Sequence, residues 1–159
     1  YLYKSNKIKS NKMKKIGNDY LKYWRVIRYY IKNKYGLTQA DLDILLFLYS
    51  EQYFTKDKFK EFDALVSWNV NRFDTLLRDG WIVVFRRGFK GSRAIYELPY
   101  KTSRMITSIY KKLSGEEIPM GSGNTMFEKN VKYTDKVYRN MIMEMNKSFK
   151  GKERTVNKL

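Results

Sequence analysis

The chain has 159 residues, 43% of them hydrophobic, and contains neither cysteine nor histidine. That is enough for one domain with a core and flanking arms, and too apolar for wholesale disorder. The two absences exclude disulfides, thiolate zinc sites, Ser-His-Asp and Cys-His catalysis and any histidine-bearing metal site. Lys and Arg number 33 against 16 acids, a formal charge of +17. Such a field favours polyanions, because each neutralised phosphate releases condensed counterions. Nucleic acid is the first candidate; a charged membrane surface and an acidic protein come after it. The richness in Lys, Asn, Tyr and Ile also matches translation of AT-rich DNA, as in many bacteriophages, so charge alone decides little.

Taken in chain order, residues Tyr1 to Ile16 carry Lys4, Lys7, Lys9, Lys12, Lys14 and Lys15 with no acid. A block of one sign repels itself, so an arm that is mobile or ordered by a partner is expected. From Asp19, the residues Tyr20, Trp24, Ile27 and Ile31 recur at helical steps, and Asn33 to Gly36 end that helix. Thr38 precedes a second helix with Leu42, Leu45, Leu46 and Tyr49 inward and Asp41 in its first turn. Thr55 opens a third, with Phe59, Phe62 and Leu65 inward and Asp57 near its N-terminus. Ser67 caps a fourth, running to about Asp79, with Val70, Phe73, Leu76 and Leu77 buried and Gly80 as its stop. Two β-rich runs follow, Trp81 to Phe85 and Arg93 to Leu98, joined by a basic loop with Gly88 and Gly91. Pro99 closes the second run, and a fifth helix spans about Thr102 to Leu113. Pro119, Gly121 and Gly123 mark a linker. A sixth helix follows from Tyr133, on Val137, Met141, Met145 and Phe149.

The expected organisation is therefore a basic arm over 1–18, a winged helix-turn-helix domain over 19–114, a linker over 115–132, a C-terminal helix over 133–150 and a tail over 151–159. The fold class is mainly α with a small β-hairpin. This plan has a geometric link to DNA: the major groove, about 12 Å wide, accepts one α-helix, and the preceding helix props it. With Val70, Phe73 and Leu77 inward, the fourth helix presents Ser67 at its start and Asn69, Asn71, Arg72 and Thr75 on its outer face. Asn suits adenine edges, Arg guanine edges, and the Thr methyl the thymine methyl; the alternative is an ordinary polar surface. Arg72 is the leading reader on this view. Trp68 has two readings, packing on the sugar-phosphate backbone or in the core. In the hairpin, Arg86, Arg87, Lys90 and Arg93 form a basic fork suited to a narrow minor groove. Phe89 at the tip either wedges against sugar or folds back on its own protein. The carboxylate pairs Asp41/Asp43 and Glu116/Glu117 read as solvated charges, and Gly115 to Gly123 lacks the Lys-Ser or Lys-Thr of a phosphate loop.

From Leu37 to Leu113 the chain resembles the DNA-binding region of the MarR family of regulators. LTQADLDILLFLY resembles the family's second helix, SWNVNRFDTLLRDGWIVV its recognition helix and first wing strand, and RRGFKGSRAIYELPYKTSRMI its wing and entry into the fifth helix. The family often carries an Asp two residues before the wing Arg, here Arg93; this chain has Gly91 there. The resemblance implies a two-fold homodimer built from the first, fifth and sixth helices, with recognition helices about 10–10.5 base pairs apart. It also implies a small phenolic or lipophilic effector between the dimer and DNA-binding parts. A monomer with no partner for its first and last helices would expose a sizeable apolar patch.

The expected function is a cytoplasmic transcription regulator that binds double-stranded DNA, uses no cofactor or metal and catalyses no reaction. No apolar run approaches the roughly 18–20 residues that cross a bilayer, so no membrane role is expected. Two alternatives remain open: a winged helix recruited as a structural component of an assembly such as a phage virion, with virion proteins as partners, or a non-specific DNA-packaging accessory.

Overall fold

Asp19 starts the first helix by accepting the Lys22 N–H on its side chain at 3.1 Å. This helix, α1 (Tyr20–Tyr35), ends where Gly36 takes a left-handed φ of 65°. A side chain rarely tolerates that angle, so the sequence supplies glycine. A capping box begins α2 (Gln39–Tyr49): the Asp41 N–H donates to Thr38 Oγ1 at 3.1 Å while the Asp41 carboxylate accepts from the Thr38 N–H. The computed structural model describes residues 19–66 and 72–156, with side chains as far as residue 150. The basic arm and the expectations placed on Ser67, Trp68, Asn69, Val70 and Asn71 lie outside the described residues.

After α2 come a short strand β1 (Tyr53–Phe54), then α3 (Lys56–Val66), α4 (Arg72–Arg78), β2 (Val83–Arg86), β3 (Ile95–Glu97) and α5 (Tyr100–Leu113). A 3-10 turn at Thr125–Phe127 precedes the final helix, α6 (Tyr133–Val156). The hairpin of β2 and β3 gains a third antiparallel strand, because β1 pairs with β3 in the register Tyr53↔Glu97 and Phe54↔Tyr96. Sheet and helices are tied by rings: Phe59 of α3 meets Phe73 of α4 edge-on at 4.9 Å, and Phe73 meets Tyr96 of β3 at the same distance. The order of helices followed by a hairpin is the winged-helix plan, and the fold is mainly α with a small sheet, as expected.

The core runs through Ile27, Ile31, Leu42, Leu45, Leu48, Phe59, Leu76, Ile82, Met105 and Ile106, all buried. A fully buried aliphatic or aromatic side chain of this size contributes about 1.5–3 kcal/mol, so these positions dominate the stability. Several faces differ from the sequence expectation by one position. Leu65 is exposed at the end of α3 and Val137 on α6, whereas Met145 and Phe149, expected inward on α6, are buried together with Ile142 and Asn146. A strict four-residue step advances about 40° too far per repeat on a 3.6-residue helix, so the ladder of fours that is buried at Met145 and Phe149 is turned outward at Val137.

Two expectations about organisation are corrected. The segment 115–132 is a packed element rather than a linker: Ile118, Asn124 and Met126 are buried. Asn146 of α6 holds it from both sides, accepting the Ile118 N–H at 3.1 Å and donating to the Ile118 carbonyl at 3.0 Å. The first and last helices do not lack a partner either, since α6 packs on α1 within one chain. Tyr29 stacks on Tyr138 at 3.8 Å, Tyr23 meets Phe149 edge-on at 5.1 Å, and the Tyr29 hydroxyl donates to Asp135 at 2.5 Å. The last helix also continues to Val156, past the expected end at 150.

Burial, and then the bond to Asp135, raise the Tyr29 phenol above its ordinary value. A raised value means the folded chain holds the phenolic proton more tightly than the unfolded one. The resulting stabilisation is complete below about pH 10 and lost as pH rises through the folded value. Urea melts from about pH 8 to 11 should show stability falling at the alkaline end. Tyr29→Phe should flatten that fall; an unchanged alkaline slope would remove Tyr29 as its source.

Candidate nucleic-acid interface

The wing is built for a narrow tip. Strands β2 and β3 pair through Val83↔Glu97 and Val84↔Tyr96, and a register shift between Val84 and Arg86 leaves Phe85 as an extra residue. Such a bulge increases local twist and turns the tip away from the sheet. Beyond it, Phe89 and Ser92 form an isolated bridge, so Lys90 and Gly91 make a two-residue apex. Gly91 has a φ of 82°, the left-handed value that the third position of a type II turn requires. At Gly88 the strands approach so closely that a Cβ would meet the Ala94 nitrogen at 3.0 Å.

Arg86, Arg87, Lys90 and Arg93 are all exposed on this hairpin. Arg86 donates to Ser92 Oγ at 3.3 Å, which fixes its direction. Arg93 pairs with Asp57, so a carboxylate from the first turn of α3 faces the wing arginine where Gly91 offers none. Both partners are solvent-exposed, and such pairs are worth about 0–1 kcal/mol. The pair orients Arg93 more than it stabilises the fold. Arg87 and Lys90 make no ion pair among the described residues.

The fourth helix differs from expectation. Arg72, expected on its outer face, turns inward at 15% side-chain exposure. Its Nη1 donates to Asp41 Oδ1 at 2.9 Å and to Thr38 Oγ1 at 3.2 Å, and its Nε lies 3.4 Å from Asp63 Oδ1. A guanidinium fork suits this arrangement because it meets carboxylates from α2 and α3 at once. The structure therefore makes Arg72 a clamp that sets α4 against the two preceding helices. Asp41, expected as a solvated charge, is a member of that clamp. The outer side of α4 shows Asp74, Thr75 and Arg78, with Asp79 exposed in the turn that follows. Lys56 lies 3.9 Å from Asp74, Arg78 3.4 Å from Asp79, and Lys101 donates to the Asp79 carbonyl at 3.1 Å. Of the expected site residues in the described chain, Thr75 and the four wing cations are exposed, while Arg72 is partly buried and ion-paired.

Asp57, Asp63 and Lys101 were not singled out as site residues by the sequence. Their roles come from contacts between elements distant along the chain, and only the acidic first turn of α3 was visible beforehand. At the junction of α2, β1, β3 and α5, Leu48, Tyr49, Gln52, Tyr53 and Glu97 line a cleft of about 360 Å³. No group of three His, Cys, Asp or Glu side chains is placed to hold a metal ion among the described residues. No described helix is long and apolar enough to cross a membrane.

The element order and the cationic hairpin define a winged-helix protein. No protein-family model matches the chain, and no curated protein matches it. Among solved structures, the chain is similar to one described as disulfide-formed AbfR, with a TM-score of 0.43, 14% identity and 88% of each chain covered. A likeness of that size assigns neither family nor function.

Proposed function

We propose that the chain binds double-stranded DNA as a winged-helix transcription regulator of MarR-like type, with its wing on the phosphate backbone or minor groove and α4 toward the major groove. The observation that carries this reading is the wing: four exposed cations on one short hairpin, three of them without an ion-pair partner among the described residues. The formal charge of +17 supplies the long-range attraction. Base reading then falls to Ser67, Asn69, Asn71 and Thr75, with Arg72 holding the helix that carries them. Homodimerisation is proposed from the family resemblance alone, since α1 and α6 cover each other within one chain. The cleft of about 360 Å³ is within the size range of small-ligand pockets, roughly 300–1,000 Å³, and is where an aromatic effector would be sought.

A second reading, a structural part of an assembly such as a virion, is favoured by the exposed Asp74 on α4 and Asp79 just past its end, which suit a protein surface better than phosphates. Titration of a labelled duplex against salt separates the two. For DNA binding, log K falls linearly with log salt, and the variant R86A/R87A/K90A lowers that slope by about 0.9 per lost phosphate contact, up to about 2.7. A regulator further prefers one site over bulk DNA by at least about a thousandfold in a selection from random sequences. An unchanged slope in the triple variant, or no binding at low salt, removes the reading.

A further inference from the structure

We infer that Phe89 is a wedge that enters a base step from the minor groove, so that the wing reads the deformability of DNA as well as its charge. The inference rests on the proposed DNA-binding reading and adds to it a residue and a class of sequence. Phe89 is 66% exposed. Its backbone is pinned on both sides: its N–H donates to the Ser92 carbonyl at 3.0 Å, and the Ser92 N–H donates back at 2.8 Å. The close strands at Gly88 and the left-handed turn at Gly91 define the backbone path of this apex. No aromatic ring packs on Phe89 among the described residues, whereas its neighbours on the wing are committed: Phe85 to Tyr53 at 4.4 Å and Tyr96 to Phe73 at 4.9 Å. The cation nearest the ring is Arg86, whose guanidinium carbon lies 6.0 Å from the ring centre.

An exposed apolar ring on a pinned backbone, flanked by Arg86, Arg87 and Lys90, has the two parts that minor-groove wedges need. The cations draw the two phosphate walls toward the hairpin, and the flat ring has an apolar surface to place between bases. Wedges of this kind partly unstack a step and kink the duplex by about 20–90°. Pyrimidine–purine steps such as TA unstack most easily, so the wing should favour DNA that carries one beneath it. That preference is independent of the base edges facing α4.

The test uses the full chain and two short duplexes, one with a central TA step beside 2-aminopurine and one with G·C steps throughout, each carrying end labels for energy transfer. With wild-type protein, the TA duplex is expected to gain 2-aminopurine fluorescence and to bend by at least about 20°. Phe89→Leu keeps both signals. Phe89→Ala loses both and binds the TA duplex about tenfold more weakly, with its salt slope unchanged. Bending and unstacking by Phe89→Ala equal to wild type would overturn the wedge while leaving DNA binding intact. Absence of any wild-type binding at low salt would instead overturn the DNA-binding reading itself. A change in sedimentation on Phe89→Ala, without change in the DNA signals, would assign the ring to a contact between protein copies and also overturn the wedge.

Discussion

Arg72→Ala is expected to lower the stability by about 2–3 kcal/mol. The guanidinium sits between Asp41 and Asp63, with side-chain exposures of 16% and 14%, and its loss leaves two half-buried carboxylates with no cation between them. Breaking a fully buried pair costs about 3–5 kcal/mol; the remaining solvent contact brings the figure down. For a domain of this size the thermal midpoint should fall by about 5–10 °C. Arg72→Lys should recover little, because a point charge cannot span both carboxylates as a planar fork does. Adding Asp63→Asn to Arg72→Ala should return part of the loss by removing one of the opposed charges. A midpoint within one or two degrees of wild type for Arg72→Ala would end the clamp.

Asn146→Ala is expected to cost about 3 kcal/mol and to act far from α4. Asn146 is 2% exposed, and both ends of its amide are used by the backbone of Ile118. Alanine leaves a buried N–H and a buried carbonyl unpaired, at about 1–3 kcal/mol each, and opens a void beside Ile118. Asn146→Asp would still accept from the Ile118 N–H but has no N–H to offer its carbonyl, and it places a charge in the core. The local signature is hydrogen exchange: amides over residues 116–126 should lose protection while those of α2 and α3 keep theirs. Equal protection in the alanine variant would show that the segment is held by its apolar side chains alone.

These two residues also mark where the sequence was legible and where it was not. The ends of α1 and α2 were readable because Asp19, Gly36 and Thr38 act on neighbours three or four positions away. The wing cations were readable because a short hairpin with two glycines leaves its long side chains in water. Arg72 was misplaced because a helical wheel built from Phe73 and Leu77 turns it outward, and nothing local reveals that Asp41 and Asp63 lie behind it. The segment around Ile118 looked like a spacer because Pro119, Gly121 and Gly123 are turn formers, while its partner Asn146 is 28 residues away. Strand β1 has two residues, too few to show an alternation, and exists only because β3 offers it an edge. Local signals survive in the sequence; long-range polar partners do not.

The clasp between α1 and α6, formed by Tyr29 on Tyr138 and Tyr23 against Phe149, bears on stoichiometry as well as on shape. The longest helices shield one another within a single chain, so this clasp needs no second copy to form. Copies that associate would then meet as finished units through their outer faces, without swapping end segments.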